Sequence, residues 1–135
     1  MEFFFTPGLD LSVGYFNIEL NCGGTLYFDF NVPGKPSVEI ARADCDTMTI
    51  AHSMPRVVNP EATEPTTWTI EYSLPVRILE KYCPVVRPAP GSMWRANLYK
   101  CADKTSHPHW LTWAFVDFPR PRFHMPEFFG TLEFK

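Results

Sequence analysis

The chain has 135 residues, the length of one domain or a piece of one, which leaves no room for two independently folding units. Its 45% hydrophobic and 20% charged residues suffice for a buried core and exclude a disordered tail, while a net charge of −3 gives no electrostatic reason to bind nucleic acid. Aromatics at 16% together with 14 Pro disfavour a helical bundle, because proline breaks helix interiors and aromatic rings suit pleated, half-buried surfaces.

Glu2 to Phe5 reads as a short apolar strand closed by Pro7 and Gly8. Tyr15 to Asn21 alternates, with Phe16, Ile18 and Leu20 on one side and Asn17, Glu19 and Asn21 on the other, so it presents an apolar and a polar face. Gly23-Gly24 predicts a turn into a hairpin partner over Leu26 to Phe30. Val38 to Ile40 and Met48 to Met54 are shorter strand candidates around an Asp-rich turn, and residues 59 to 66, with Pro60 and Pro65, read as a surface loop. Thr67 to Ser73 alternates again, and Pro75 opens the one predicted helix, Val76 to Tyr82. Strands follow over Met93 to Cys101, His109 to Val116 and Gly130 to Phe134. Short strands separated by Gly and Pro turns predict an all-β, antiparallel sandwich forming a single, partial domain over residues 1–135. The first strand follows directly on Met1, which leads to the expectation that earlier strands of the sandwich lie outside this sequence.

No run of about 18 apolar residues is present, so no membrane partner is expected, and MEFFFTPGLD does not read as a secretory leader. Cys22, Cys45, Cys83 and Cys101 are widely spaced without a CxxC, which argues for buried thiols over a zinc or thioredoxin site and leaves one disulfide open. His107, His109 and His124 lie near one another in sequence, yet His107 and His109 flank Pro108 in a turn with no acidic or Cys ligand at metal spacing. Glu2, Glu19 and Glu127 raise a glycosidase reading, but no nucleophile motif accompanies them and no enzyme is expected. Trp68, Trp94, Trp110, Trp113, Phe128 and Phe129 read as core, and Arg95 and Lys100 as solvated side chains.

A sugar ring offers an apolar C–H face and a rim of hydroxyls, so its site pairs flat aromatic rings with side chains that donate and accept hydrogen bonds. Asn17, Glu19, Tyr99, His107, Phe123 and His124 supply that mixture. At these residues the chain resembles a known family: YFNIELNCGGT at 15 to 25, then WRANLYKC, SHPHWLTW and FHMPEFFGTLEF, are similar to the family 9 carbohydrate-binding modules and their DOMON-like relatives. The resemblance runs in order from Glu2 to Phe134. It implies an immunoglobulin- or jelly-roll-like sandwich that binds sugar-chain ends between two tryptophans without catalysis. It further implies structural calcium beside the site in many members, attachment to polysaccharide-degrading enzymes, and a secreted or periplasmic location. Carried over by position, Glu2 matches a glutamate that bonds sugar hydroxyls, and Asn17 and Glu19 fall at polar contacts. Tyr99 replaces an amide side chain, His107 lies near an arginine position, and Phe123 stands for the second tryptophan, followed by His124. The first tryptophan precedes Glu2 in the family and has no counterpart here. A structural sandwich that has lost its sugar, and self-association through exposed sheet edges, are the alternative expectations.

Overall fold

A computed structural model describes residues 1–135. Nine strands form in chain order: β1 (Glu2–Thr6), β2 (Tyr15–Leu20), β3 (Leu26–Asn31), β4 (Val38–Glu39), β5 (Thr49–His52), β6 (Ile70–Ser73), β7 (Met93–Ala102), β8 (His109–Thr112) and β9 (Gly130–Glu133). Two short helices, α1 (Arg42–Cys45) and α2 (Val76–Leu79), lie between them, and neither is long or apolar enough to cross a membrane. The main sheet runs β4-β3-β2-β1-β7-β8, with β9 also on β7, and β5 and β6 pair separately as a hairpin. All pairings are antiparallel. This is the predicted all-β sandwich, with the β5–β6 hairpin and α2 forming the layer opposite the main sheet.

The position of β1 explains its composition. It is flanked by β2 and β7, and a central strand covered on both faces carries apolar residues at consecutive positions instead of alternating. Phe3 and Phe5 stack on one face with ring centroids 4.6 Å apart, whereas Phe4 points to the other. The first face is the main core: Phe5, Phe16, Ile18, Phe28, Phe30 and Trp94 pack there against Ile78 and Leu79 of α2, with Ile50, Ile70 and Tyr72 of the small hairpin alongside. The opposite face holds a smaller cluster of Phe4, Tyr15, Tyr99 and Phe129, partly covered by Phe123 from the chain's last third.

Turn chemistry fixes the register. Asn21 Oδ1 accepts from the Gly23 and Thr25 amides and so folds the β2–β3 turn, where Gly24 takes the left-handed φ of 81°. Gly14, at φ 101°, immediately precedes β2 at a point where a Cβ would come within 2.6 Å of the Asn31 carbonyl oxygen and 2.7 Å of the Phe30 ring. Its own carbonyl accepts from Thr6 Oγ1 at 2.9 Å, which ties the β1–β2 connection to the sheet.

Several predicted elements end early. The predicted helix over 76–82 is α-helical only for Val76–Leu79, and the predicted strands 67–73 and 109–116 shorten to Ile70–Ser73 and His109–Thr112. On the β5–β6 hairpin the ladder closes at Ser53, whose amide donates to the Thr69 carbonyl and whose Oγ accepts from the Thr69 amide, so Trp68 lies beyond it. The Asp-rich turn contains α1, with Arg42 Nε donating to Asp46 at 2.7 Å. The four thiols are free, and only Cys83 is buried; Cys22 and Cys45 are half-buried and Cys101 is exposed, so the expectation of buried thiols holds for one of them.

Candidate functional site

The outer face of the main sheet is organised by register. Tyr27, Glu19, Glu2, Tyr99 and Thr112 are successive cross-strand partners over β3, β2, β1, β7 and β8. Strands lie about 4.8 Å apart, so this row spans roughly 19 Å across the sheet. A second row, Asp29, Asn17, Phe4 and Asn97, runs beside it. Period-2 alternation therefore places Glu2, Asn17, Glu19 and Tyr99 together on one surface.

A chain of hydrogen bonds sets the β2–β3 side of this face. Tyr27 donates its hydroxyl to Asp29 Oδ2 at 3.0 Å; Asn31 Nδ2 donates to Asp29 Oδ1 at 2.8 Å and to Asn17 Oδ1 at 2.7 Å; and Asn17 Nδ2 donates to Glu19 Oε1 at 3.0 Å. Asn17 is fully buried, so it orients Glu19 from beneath and does not itself meet solvent. Glu19 remains half-exposed and Tyr27 is 45% exposed.

The β1–β7 side is aromatic. Phe123 stacks on Tyr99 with centroids 4.3 Å apart at 14°, and Tyr99 meets the edge of Phe4 at 5.0 Å. His124 follows Phe123 outward, with Nδ1 2.9 Å from the Tyr15 hydroxyl and its ring 4.8 Å from Phe4. Tyr99 is 1% exposed, and its buried hydroxyl has no hydrogen-bond partner. An unpaired buried hydroxyl costs about 1–3 kcal/mol, so Tyr99 is a platform for Phe123 whose polar end lacks a partner. Burial pushes this phenol far above the ordinary tyrosine range.

Glu2 sits between Glu19 and Tyr99. Burial, and then the neighbouring Glu19 charge, raise its carboxyl from 4.5 to about 7. A carboxyl whose folded-state pKa lies above its unfolded value favours the folded chain at low pH, and that contribution is lost as pH rises from about 4.5 through about 7. The stability of the wild-type chain, followed by thermal melts, is therefore expected to fall between pH 5 and pH 8, by on the order of 1 kcal/mol once solvent screening of this half-exposed pair is allowed for. Glu2→Gln is expected to flatten the profile; a wild-type melting temperature that rises over this window would contradict the assignment.

Other predicted residues lie elsewhere. His107 is exposed in the β7–β8 turn, with Nδ1 2.9 Å from Ser106 Oγ, and makes no bond to the row. His109 Nδ1 donates to the His107 carbonyl while its Nε2 accepts from Lys100 Nζ, so this pair is structural to the hairpin and His124 is not part of it. No group of three or more His, Cys, Asp or Glu side chains is arranged to hold a metal ion. Arg95 is not solvated as expected: it is half-buried and donates to the Phe129 carbonyl. Trp110 and Trp113, expected in the core, are 42% and 53% exposed, whereas Trp94 and Phe129 are buried. Asp29, Asn31 and Tyr27 belong to the same hydrogen-bonded face and were missed by sequence reasoning, though their alternation on β3 opposite Asn17 and Glu19 carried the signal. A separate depression of about 430 Å³ lies by α1 and β5, lined by Gly24, Glu39, Arg42, Cys45, Asp46 and His52 among others. Its Arg42 and Asp46 already pair with each other, and Phe28, the phenylalanine in its lining, is 2% exposed.

The two-layered β fold thus sets an aromatic platform beside an ordered polar row on one face. The model of carbohydrate-binding family 9 matches residues 1–134, and the chain belongs to this family of non-catalytic binding modules. A solved structure of a protein from Bacteroides uniformis ATCC 8492, assigned to carbohydrate binding, is similar at 28% identity and a TM-score of 0.76. That likeness covers 99% of this chain and 60% of the other, so the chain spans less than two thirds of that protein's length. No curated protein matches the sequence.

Proposed function

We propose that the outer sheet face binds mono- or oligosaccharide, or the end of a polysaccharide chain, between the Phe123 ring and the carboxylates of Glu2 and Glu19. The supporting observation is the stacking of Phe123 on Tyr99 directly beside Glu2 in register, above a buried hydroxyl that has no partner. The ring meets the apolar face of a pyranose, and the carboxylates accept from its hydroxyls. His124 and Tyr27 border the site and complete its rim, while Asn17 and Tyr99 act from underneath. Binding on an open face with one platform should be weak, about −4 to −8 kcal/mol, corresponding to millimolar to micromolar affinity. A binding module of this kind serves as an accessory to polysaccharide breakdown, holding an appended enzyme on its substrate.

Calorimetric titration with glucose, xylose, cellobiose and xylan tests the reading. The wild-type chain should release heat with at least one of them, and Phe123→Ala should weaken that binding about tenfold while leaving the fold intact. A well-folded sample that binds none of them would favour the second reading, a sandwich kept for structure or interaction, which the burial of Tyr99 and Asn17 supports.

A further inference from the structure

Phe123 belongs to two surfaces. One side of its ring covers Tyr99, and the residue also lines a groove of about 210 Å³ between β8 and the segment 116–123. Trp110 and Thr112 form the β8 wall, and Phe118, Arg120 and Arg122 form the other. Thr112 is also the last member of the polar row, so the groove continues the proposed sugar site outward.

The two arginines set its chemistry. The ion pairs of the molecule are Arg42–Asp46, Lys81–Asp44, Arg87–Glu80 and Lys135–Glu133, and neither Arg120 nor Arg122 takes part in one, although Asp117 is close in sequence. The Arg122 guanidinium lies 5.2 Å from the centre of the Phe118 ring, a stacking that holds it in place without using its N–H donors. In a chain of net charge −3, the groove thus gathers two uncompensated guanidinium groups beside exposed aromatic surface. Guanidinium forks match the planar carboxylate, and the rings match a pyranose face. Two arginines are too few for the extended basic stripe that nucleic acid needs.

Resting on the sugar-binding reading above, we propose that this groove takes an anionic sugar unit, such as a uronic acid, joined to the neutral sugar held at Glu2 and Phe123. The ligand class is then an acidic oligosaccharide whose carboxylate is paired by Arg120 and Arg122.

The test is calorimetry at low and high salt with a neutral xylo-oligosaccharide, the same oligosaccharide bearing glucuronic acid, and adenosine monophosphate. Each is titrated into the wild-type chain and into Arg120→Gln/Arg122→Gln, whose exposed positions should leave the melt unchanged. The acidic oligosaccharide should bind about tenfold tighter than the neutral one. That advantage should shrink with salt and vanish in the double variant, which keeps its affinity for the neutral sugar. Equal affinity for both sugars, or an advantage that survives the double variant, overturns the groove assignment and leaves the sugar site standing. Binding of the acidic sugar alone, lost in the double variant, supports the groove and removes the neutral-sugar reading. Failure of both sugars to bind the folded chain overturns both, and tighter binding of the nucleotide than of the acidic sugar overturns the ligand class.

Discussion

Phe16→Ala is expected to destabilise the fold by about 3–5 kcal/mol, the range for emptying a phenylalanine site in a packed core. Phe16 is fully buried and its ring lies 4.7 to 6.0 Å from those of Phe5, Phe28, Phe30 and Tyr82, so one ring joins three neighbouring strands to the residues after α2. Phe5, Phe28 and Phe30 belong to paired strands and cannot collapse into the void without breaking register. A chain of this size has a total stability of about 5–15 kcal/mol, so the substitution removes a large fraction of it. Urea denaturation should show a lower midpoint with an unchanged slope. Phe115→Ala provides the control: Phe115 is 79% exposed, and its loss should change stability by about 0.5 kcal/mol or less. A loss below about 1 kcal/mol at Phe16 would mean that the two layers are not packed as described.

Glu2→Gln should separate binding from folding. The carboxylate of Glu2 lies between Glu19 and Tyr99, where it can accept from sugar hydroxyls, and a hydrogen bond to a charged group contributes about 1.5–3 kcal/mol. At pH 8 the substitution should therefore weaken neutral-sugar binding about tenfold or more. The same change removes one of two adjacent negative charges, so the variant should be at least as stable as wild type at that pH. Below about pH 7 the wild-type carboxyl is itself protonated, and the difference in affinity should narrow. Lower affinity with retained stability marks a ligand contact; parallel loss of both would mark Glu2 as a structural residue only.

Much of this face was legible in the residues. Tyr15 to Asn21 announced two unlike faces by alternation, and the Gly23-Gly24 turn set its partner, because side-chain direction in a strand depends on parity alone. Extending that register across the turn would also have placed Tyr27, Asp29 and Asn31 opposite the polar side of β2. The burial of Tyr99 was not legible, since it depends on Phe123 returning over β7 from 24 positions further along the chain. Nor was the outward placement of Trp110 and Trp113: a tryptophan on or just after an edge strand reads like a core tryptophan until the absence of a covering layer is seen. The strand ends were overestimated for a related reason, because alternation continues past the last residue that finds a backbone partner, as at Trp68.

The most direct measurement is the mapping of backbone amide chemical shifts during titration with a neutral oligosaccharide at millimolar concentration. If the outer sheet face is the sugar site, the amides of Glu2, Glu19, Tyr99, Phe123 and His124 shift together along one binding curve, and those of Gly24, Cys45 and His52 stay in place. Shifts confined to the Gly24, Cys45 and His52 depression, with the outer face unmoved, would contradict the account.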